Sequence, residues 1–467
     1  MLKVTVTGAT GMIGRPLVRR LLDDGCAVRA WSRDVEAARA LLPAACAVEG
    51  WDPAGAVDPH RLRGTDALVH LAGAGVADRR WSAAYKRVIR DSRVGPTRAL
   101  VEAMAALPPA ERPRVLVGAS GIGIYGDRGD ERLDETSAPG AGFLAEVSRE
   151  WEAAARRAEA LGVRVVLLRI GMALAAGGGA LGRLLPPFRL GLGGPVGGGG
   201  QWMSWIHRDD LVELVCFALR QAHVAGVLNA VAPAPVVNRD FSAALGQALA
   251  RPARLPIPAA ALRLAFGELG GVLLASQRAL PAAALRHGFA FRFADVAAAL
   301  RDCCADLSQV IDVEQWLPQP PAAVFAFFAD AANLERITPP FLHFRVLGSS
   351  TPALGTGTLI DYRLRLHGVP LRWRSVIERW QPERGFVDRQ LRGPYALWEH
   401  THQFTAANDG TLVRDRIRYR LPFGALGEVI AGRWVARDLA RIFAFRRAAS
   451  AAIFAAPSTG VAVEGGT

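Results

Sequence analysis

Three glycines, Gly8, Gly11 and Gly14, stand between an apolar run and an amphipathic one, and that placement points to phosphate chemistry. Val4-Thr5-Val6-Thr7 reads as a strand, and Leu17, Val18, Leu21 and Leu22 recur at helical spacing. Between them Gly8 permits a sharp exit from the strand, and Gly11 leaves room for backbone amides to approach a pyrophosphate. Gly14 lets the helix lie tight on the sheet, with the positive end of its dipole facing the anion. The turn is therefore read as a dinucleotide cradle, with Gly8, Thr10, Gly11, Met12, Ile13 and Gly14 as cofactor-binding residues.

The second strand, Ala27 to Trp31, ends in Ser32-Arg33, where an NAD-specific site places an acid against the ribose 2′-hydroxyl. A hydroxyl followed by a guanidinium suits a 2′-phosphate, so NADP(H) is expected over NAD. Asp34 precedes a helical stretch from Val35 to Leu42 and is read as its N-cap. Ala67 to His70 reads as a buried strand running into Leu71, Ala72 and Gly73, a small-residue turn expected beneath the cofactor. Further strands are expected from Arg114 to Ser120 and from Val163 to Ile170.

These elements need a frame, and 467 residues with 51% hydrophobic content can build two sizeable cores. The formal charge of +13 is carried almost wholly by arginines scattered among acids, Lys3 and Lys86 being the two lysines, so no nucleic-acid face is expected. Cys26, Cys46, Cys216, Cys303 and Cys304 show no metal or disulfide spacing and suit reduced thiols in a cytoplasmic protein. The chain opens on a strand, so no secretory leader is expected, and no apolar run reaches the length of a membrane span.

Strands and helices alternate to about residue 230, as in an α/β doubly wound parallel sheet, and residues 238–302 turn helical, as a small substrate lobe would. Residues 309–450 read as a separate α+β unit. It has one strand from Val310, two small helices, six alternating strands between Phe344 and Tyr419, and a long helix from about Leu426 to Ala448. A curved antiparallel sheet gripping a helix encloses a cavity, expected to hold an apolar ligand. Trp398, His400, His402 and Phe404 share one strand face. Two histidines at i and i+2 could hold a metal, but no third ligand lies near in sequence, so no metal is expected. Leu371, Trp373 and Ser375 alternate with Arg372 and Arg374, one set facing the cavity and the other solvent. Residues 451–467 are expected to form a disordered tail.

Both halves resemble known families. Residues 1–302 resemble epimerase-like, atypical members of the extended short-chain dehydrogenase/reductase superfamily through VTVTGATGMIG, LAGAGVADRRW, IRDSRVGPTR, GASGIGIYG, LLRIGMAL and PFRLGLGGPVGGGGQWMSWIHRDDLV. Residues 309–450 resemble START-like, polyketide cyclase/dehydrase helix-grip domains through PPAAVFAFFADAANLERITPP, GTLIDYRLRLHGVPLRW and LRGPYALWEHTHQF. The first resemblance implies a tyrosine and, four residues on, a lysine that lowers its pKa. Phe143 and Val147 stand there instead. Ser120, where the superfamily keeps a substrate-binding serine, Tyr125 beside it and Glu146 on the following helix are then the catalytic candidates. Lys86 reads as a solvated helix residue and His207 as structural. The implied function is an NADP(H)-dependent oxidoreductase or epimerase on an apolar small molecule. The alternatives are a non-catalytic NADP(H) sensor coupled to apolar-ligand binding and a nucleotide-sugar epimerase.

Overall fold

The computed structural model describes residues 1–249, 251–305, 308–407, 409–422 and 425–455. The chain divides into two compact units, Met1–Leu307 and Ser308–Thr467.

The first unit is built on seven parallel strands: β1 (Lys3–Thr7), β2 (Ala27–Ser32), β3 (Ala47–Gly50), β4 (Ala67–His70), β5 (Val115–Gly121), β6 (Arg164–Ile170) and β7 (Gly226–Ala230). Their order is β3-β2-β1-β4-β5-β6-β7, so the sheet reverses direction of growth beside β1. The strands are continuous apolar runs because both faces are covered. On one face Val4, Val6, Val69, Val117 and Leu168 pack with Leu17, Val18 and Leu21 of α1 (Gly14–Asp23). On the other, Leu68, Leu116 and Leu167 pack with Leu100, Val101 and Met104 of α3 (Ala83–Ala105). The helix α2 (Val35–Leu41) starts where Asp34 accepts a hydrogen bond from the Ala37 amide, as its expected N-cap role requires. Two more helices frame the site: α4 (Phe143–Arg156) and α5 (Arg208–Arg220). His207 caps α5, its Nδ1 accepting from the Asp209 amide at 3.2 Å. Residues 238–305 add five short helices, including Asn238–Ala248 and Val296–Ala305.

The second unit is one antiparallel sheet of seven strands: β8 (Gln309–Leu317), β9 (Arg345–Ser349), β10 (Leu359–Leu366), β11 (Val369–Gln381), β12 (Gly385–Arg392), β13 (Leu397–Ala407) and β14 (Gly410–Arg420). They are ordered β8-β14-β13-β12-β11-β10-β9, with α6 (Pro321–Phe328) after the first strand and a long helix, α7 (Ala425–Ala455), at the end. Alternation along β13 is strict, Trp398, His400, His402 and Phe404 being buried. Leu439 and Phe443 of α7 pack against Trp398, Ile417 and Tyr419, which is the helix-grip arrangement. Residues 451–455, expected in a tail, belong to α7, because Ile453 and Phe454 pack with Phe328 and Val413. Residues 456–467 lie outside the described residues. No helix among the described residues is long and apolar enough to cross a membrane.

The α1–β1 contact leaves no space for a side chain at Gly14, where a Cβ would stand 2.2 Å from the Gly8 carbonyl oxygen. Gly14→Ala is therefore expected to destabilise the first unit by about 1–3 kcal/mol, the usual range for overpacking. Urea unfolding checks this, and an unchanged midpoint would contradict the packing described.

Candidate cofactor cradle and ligand cavity

The glycine turn has the geometry its sequence requires. Gly8 is left-handed (φ 72°), and a Cβ there would lie 2.8 Å from the Leu71 carbonyl carbon and 2.9 Å from the Ala72 nitrogen. The turn after β1 thus touches the Leu71-Ala72-Gly73 turn after β4. Gly11 differs: its Cβ would meet just the Gly8 oxygen, at 3.2 Å. That one backbone contact is tight, but nothing else lies within 4 Å and Gly11 is exposed, so its outer side is available to a ligand. Ile13 offers no side-chain cap to α1, and the first turn carries no acid, so the positive end of the helix is left for an outside anion. Thr10 is half-buried, and Met12 lies against Gly179, whose Cβ would be 3.0 Å from its sulfur.

At the end of β2 the Ser32 hydroxyl donates to the Asp34 carbonyl at 2.9 Å. Arg33 is exposed and has no ion pair among the described residues, so its charge is uncommitted. Beneath the turn His70, at the end of β4, is buried, its Nδ1 2.6 Å from the Thr7 hydroxyl. Its Nε2 has no hydrogen-bond partner, and burial pushes its pKa down to about 4, so it stays neutral.

The catalytic candidates do not converge on one open surface. Ser120, on β5, donates to Glu152 Oε1 at 2.8 Å. Arg169, on β6, grips the same carboxylate through Nε and Nη2, both at 2.9 Å, and donates from Nη1 to the Tyr125 hydroxyl at 2.9 Å. Tyr125 also meets Asn229 Oδ1 at 2.7 Å and the Asp134 carbonyl at 2.8 Å. Burial raises the Tyr125 pKa, with Arg169 opposing it. Burial acts to lower that of Arg169, yet the bonds to Glu152 raise it overall. Tyr125 is 0% exposed, so its expected place among the catalytic candidates is corrected: its hydroxyl lies inside a saturated core network. Ser120 spends its one proton on Glu152, and Glu146 is exposed in the first turn of α4.

Where the superfamily pair would stand, Val147 is buried and Phe143 packs edge-on against Trp81, ring centroids 5.1 Å apart. Lys86 is no ordinary solvated helix residue. Its Nζ lies 5.3 Å from the Phe143 ring centre and 6.0 Å from that of Trp81, and it pairs with Glu268. The flanking loop is pinned by Tyr85 to Gly75 O (2.6 Å) and by Arg93 to Ala74 O (2.9 Å).

The second unit encloses a cavity of about 180 Å³ between the sheet and α7, walled largely by apolar side chains such as Leu364, Trp373, Ile377 and Leu439. Leu371, Trp373 and Ser375 line it while Arg374 turns outward to Asp361, as alternation requires. One end is polar. Asp388 of β12 is in register with His400, and His402 with Asp415 of β14. One donor atom from each of Asp388, His400 and His402 lies within 4.8 Å of the other two. Strand pairing thus supplies the third group that sequence spacing hides. Burial and His402 together push the His400 pKa down to about 4. His402 is raised despite burial, because Asp415 faces it, and Asp415 lies well below the usual carboxylate range.

Comparison with known proteins follows this division. Residues 4–230 match the NAD dependent epimerase/dehydratase family, 257–303 a domain of unknown function (DUF1731), and 317–444 the polyketide cyclase/dehydrase and lipid transport family. An epimerase family protein of Mycobacterium tuberculosis is 41% identical over 299 residues, covering 64% of this chain and 96% of that protein. The chain belongs to the epimerase family. The crystal structure of human epimerase family protein SDR39U1 (isoform 2) with NADPH is 34% identical, with a TM-score of 0.58, covering 65% of this chain and 99% of that one. A Corynebacterium glutamicum structure described as a nucleoside-diphosphate sugar epimerase is 36% identical, with a TM-score of 0.52, covering 65% of this chain and 58% of that one.

The epimerase-family unit is thus an NAD(P)-binding fold, joined in one chain to a polyketide cyclase/dehydrase domain. Sequence reasoning missed Glu152, Arg169 and Asn229 of its buried network, and Asp388 and Asp415 of the second unit's histidine cluster. Breaking the first network by Arg169→Met leaves a buried carboxylate uncompensated and is expected to cost about 3–5 kcal/mol. Denaturant unfolding of the full chain measures it, and a loss below about 1 kcal/mol would refute the saturated network. His70 predicts a pH dependence. Its folded pKa, about 4, is below the ordinary 6.5. The unfolded chain therefore binds the proton first, and stability falls as pH drops from about 6.5 towards 4, by up to roughly 3 kcal/mol. Comparing wild type with His70→Asn at pH 7 and pH 4.5 isolates this contribution, and equal pH slopes would contradict it.

Proposed function

We propose that the first unit is an NADP(H)-dependent oxidoreductase acting on an apolar carbonyl compound, and that the cavity of the second unit holds its apolar substrate or product. The observation that carries the cofactor assignment is the open Gly11 face before the uncapped α1, with the unpaired Arg33 beside it. Gly8, Thr10, Gly11, Met12, Ile13 and Gly14 would hold the pyrophosphate side, Leu71, Ala72 and Gly73 the floor, and Ser32 with Arg33 the 2′-phosphate. The NADPH in the human relative's structure supports the same choice. When bound, the nicotinamide supplies or accepts hydride at C4. Positioning contributes most of the rate where acid–base help is weak. Lys86, held over Phe143 and Trp81, is the ammonium closest to the place of the missing tyrosine and serves as proton donor to the developing alkoxide. Ser120, its proton engaged by Glu152, is left to accept from the hydroxyl of the product.

A second reading, a non-catalytic NADP(H) sensor, is favoured by the apolar Phe143 and buried Val147 and by the engaged hydroxyls of Ser120 and Tyr125. One measurement tests the cofactor assignment that both readings share, and a second separates them. NADPH is expected to bind at least tenfold more tightly than NADH, and Arg33→Ala to remove about 1.5–3 kcal/mol of that preference, the worth of a charge-assisted hydrogen bond. Fluorescence titration reads both, and equal wild-type affinities would refute the NADP(H) assignment. With a competent apolar ketone, enone or quinone, Lys86→Met is expected to slow NADPH oxidation at least about tenfold with cofactor affinity unchanged. Tight NADPH binding with no turnover of any of these compounds would establish the sensor instead.

A further inference from the structure

The polar end of the second unit's cavity has the arrangement of a metal site, and nothing in the cofactor chemistry of the first unit uses it. Two imidazoles stand side by side on β13, ring centroids 3.9 Å apart. On one edge, His400 Nδ1 and His402 Nε2 face the same oxygen, Asp388 Oδ2, at 3.7 and 3.6 Å. On the opposite edge, His400 Nε2 and His402 Nδ1 face Asp415 Oδ1, at 3.1 and 2.7 Å. Donors bound to a first-row ion at about 2.0–2.2 Å stand roughly 3–4 Å apart, so the two imidazoles and Asp388 need only small shifts to share one. Asp415 has the place of an outer carboxylate, which takes the remaining ring N–H groups and fixes both tautomers.

The cluster is also incomplete as it stands. His402 is 3% exposed, yet its Nε2 and His400 Nδ1 stand 3.6 and 3.7 Å from Asp388 Oδ2, too far for a hydrogen bond. Buried ring nitrogens left this far from their facing carboxylate are costly. The charge that opposes a cation is Arg446, whose guanidinium shares the cavity and lies 5.6 Å from the Phe328 ring centre. Asp388 and Asp415 outweigh that one guanidinium, and Asp438, paired with His367, also lines the cavity, so a dication is attracted.

We infer that Asp388, His400 and His402 bind one divalent first-row transition-metal ion, with Asp415 as outer carboxylate and the open coordination positions facing the apolar cavity. The molecule that completes the site is then an apolar compound bearing one oxygen donor, with its hydrocarbon part against Trp373, Leu439 and their neighbours. The inference rests on the cavity and is independent of the dinucleotide reading.

The test uses the full-length chain, stripped with chelator, loaded with Co²⁺ and desalted, with metal counted by mass spectrometry and its geometry read from the visible spectrum. Expected are about one Co²⁺ per chain and a raised melting temperature. His400→Ala/His402→Ala should retain less than about a tenth of that, and Asp415→Asn should bind about 10–100-fold more weakly while keeping a cobalt spectrum. Near-ultraviolet circular dichroism establishes that the variants are folded, and His400→Gln replaces the double variant if it is not. Wild type that retains no Co²⁺, Zn²⁺ or anaerobic Fe²⁺ and shows no melting shift overturns the inference, leaving a purely hydrogen-bonded His–Asp cluster. So does a folded double variant that retains the wild-type amount.

Discussion

The carboxylate of Glu152 accepts three hydrogen bonds at once, two from Arg169 and one from Ser120, in a place that water hardly reaches. A buried ion pair of this kind has little net worth by itself, because desolvation of each partner costs several kcal/mol. What it does is fix geometry. Glu152 is on α4, Ser120 on β5 and Arg169 on β6, so one carboxylate sets where the helix that follows the site lies on the sheet. Through Arg169 the constraint passes to Tyr125 and Asn229, and from the Asn229 amide to Glu135, which also accepts from the Ala283 amide of the helical lobe. Removing any member leaves the others buried and unpaired, which is why the network behaves as one unit.

That network explains which parts of the site were legible in the sequence. The glycine turn, its strand and its helix are contiguous, and local rules of φ and close approach determine them. The Asp34 cap and the alternating faces of β11 and β13 are legible for the same reason, since each depends on neighbours two to four residues away. Glu152, Arg169, Asn229 and Ser120 share no spacing, and parallel strands joined by long crossovers bring them together. A serine and a tyrosine near a cofactor turn read as free hydroxyls. Their partners are distant in sequence and invisible there. Lys86 was likewise obscured: its place over Phe143 depends on how α3 and α4 pack.

In the second unit the limit of the sequence is register. His400 and His402 declare a shared face through their period of two, but the identity of what stands opposite depends on pairing with β12 and β14. Slipping either neighbour by one residue would turn Asp388 or Asp415 to the other face and put an apolar or basic side chain beside the histidines. The sheet thus specifies the cluster as firmly as it specifies its own core. The expectation of no metal followed from counting ligands along the chain when the relevant neighbours lie across it.

Both units bury charge, and they do so in opposite ways. In the first, Glu152, Arg169 and Tyr125 are each engaged by several partners, and Phe143 and Val147 keep the usual place of acid–base chemistry apolar. Saturated groups of this sort stabilise position and have little capacity to act on a ligand. His70 is the exception there, held neutral against Trp51 and Thr7. In the second unit Arg446 Nε is buried without a hydrogen-bond partner, and His400 Nδ1 and His402 Nε2 stand too far from Asp388 to bond to it, at the end of an apolar cavity. Unspent hydrogen-bonding capacity in a dry pocket is destabilising unless something else uses it. An ion and an oxygen-bearing apolar ligand together would use it, so the polar end of that cavity is where the second unit keeps its uncommitted chemistry.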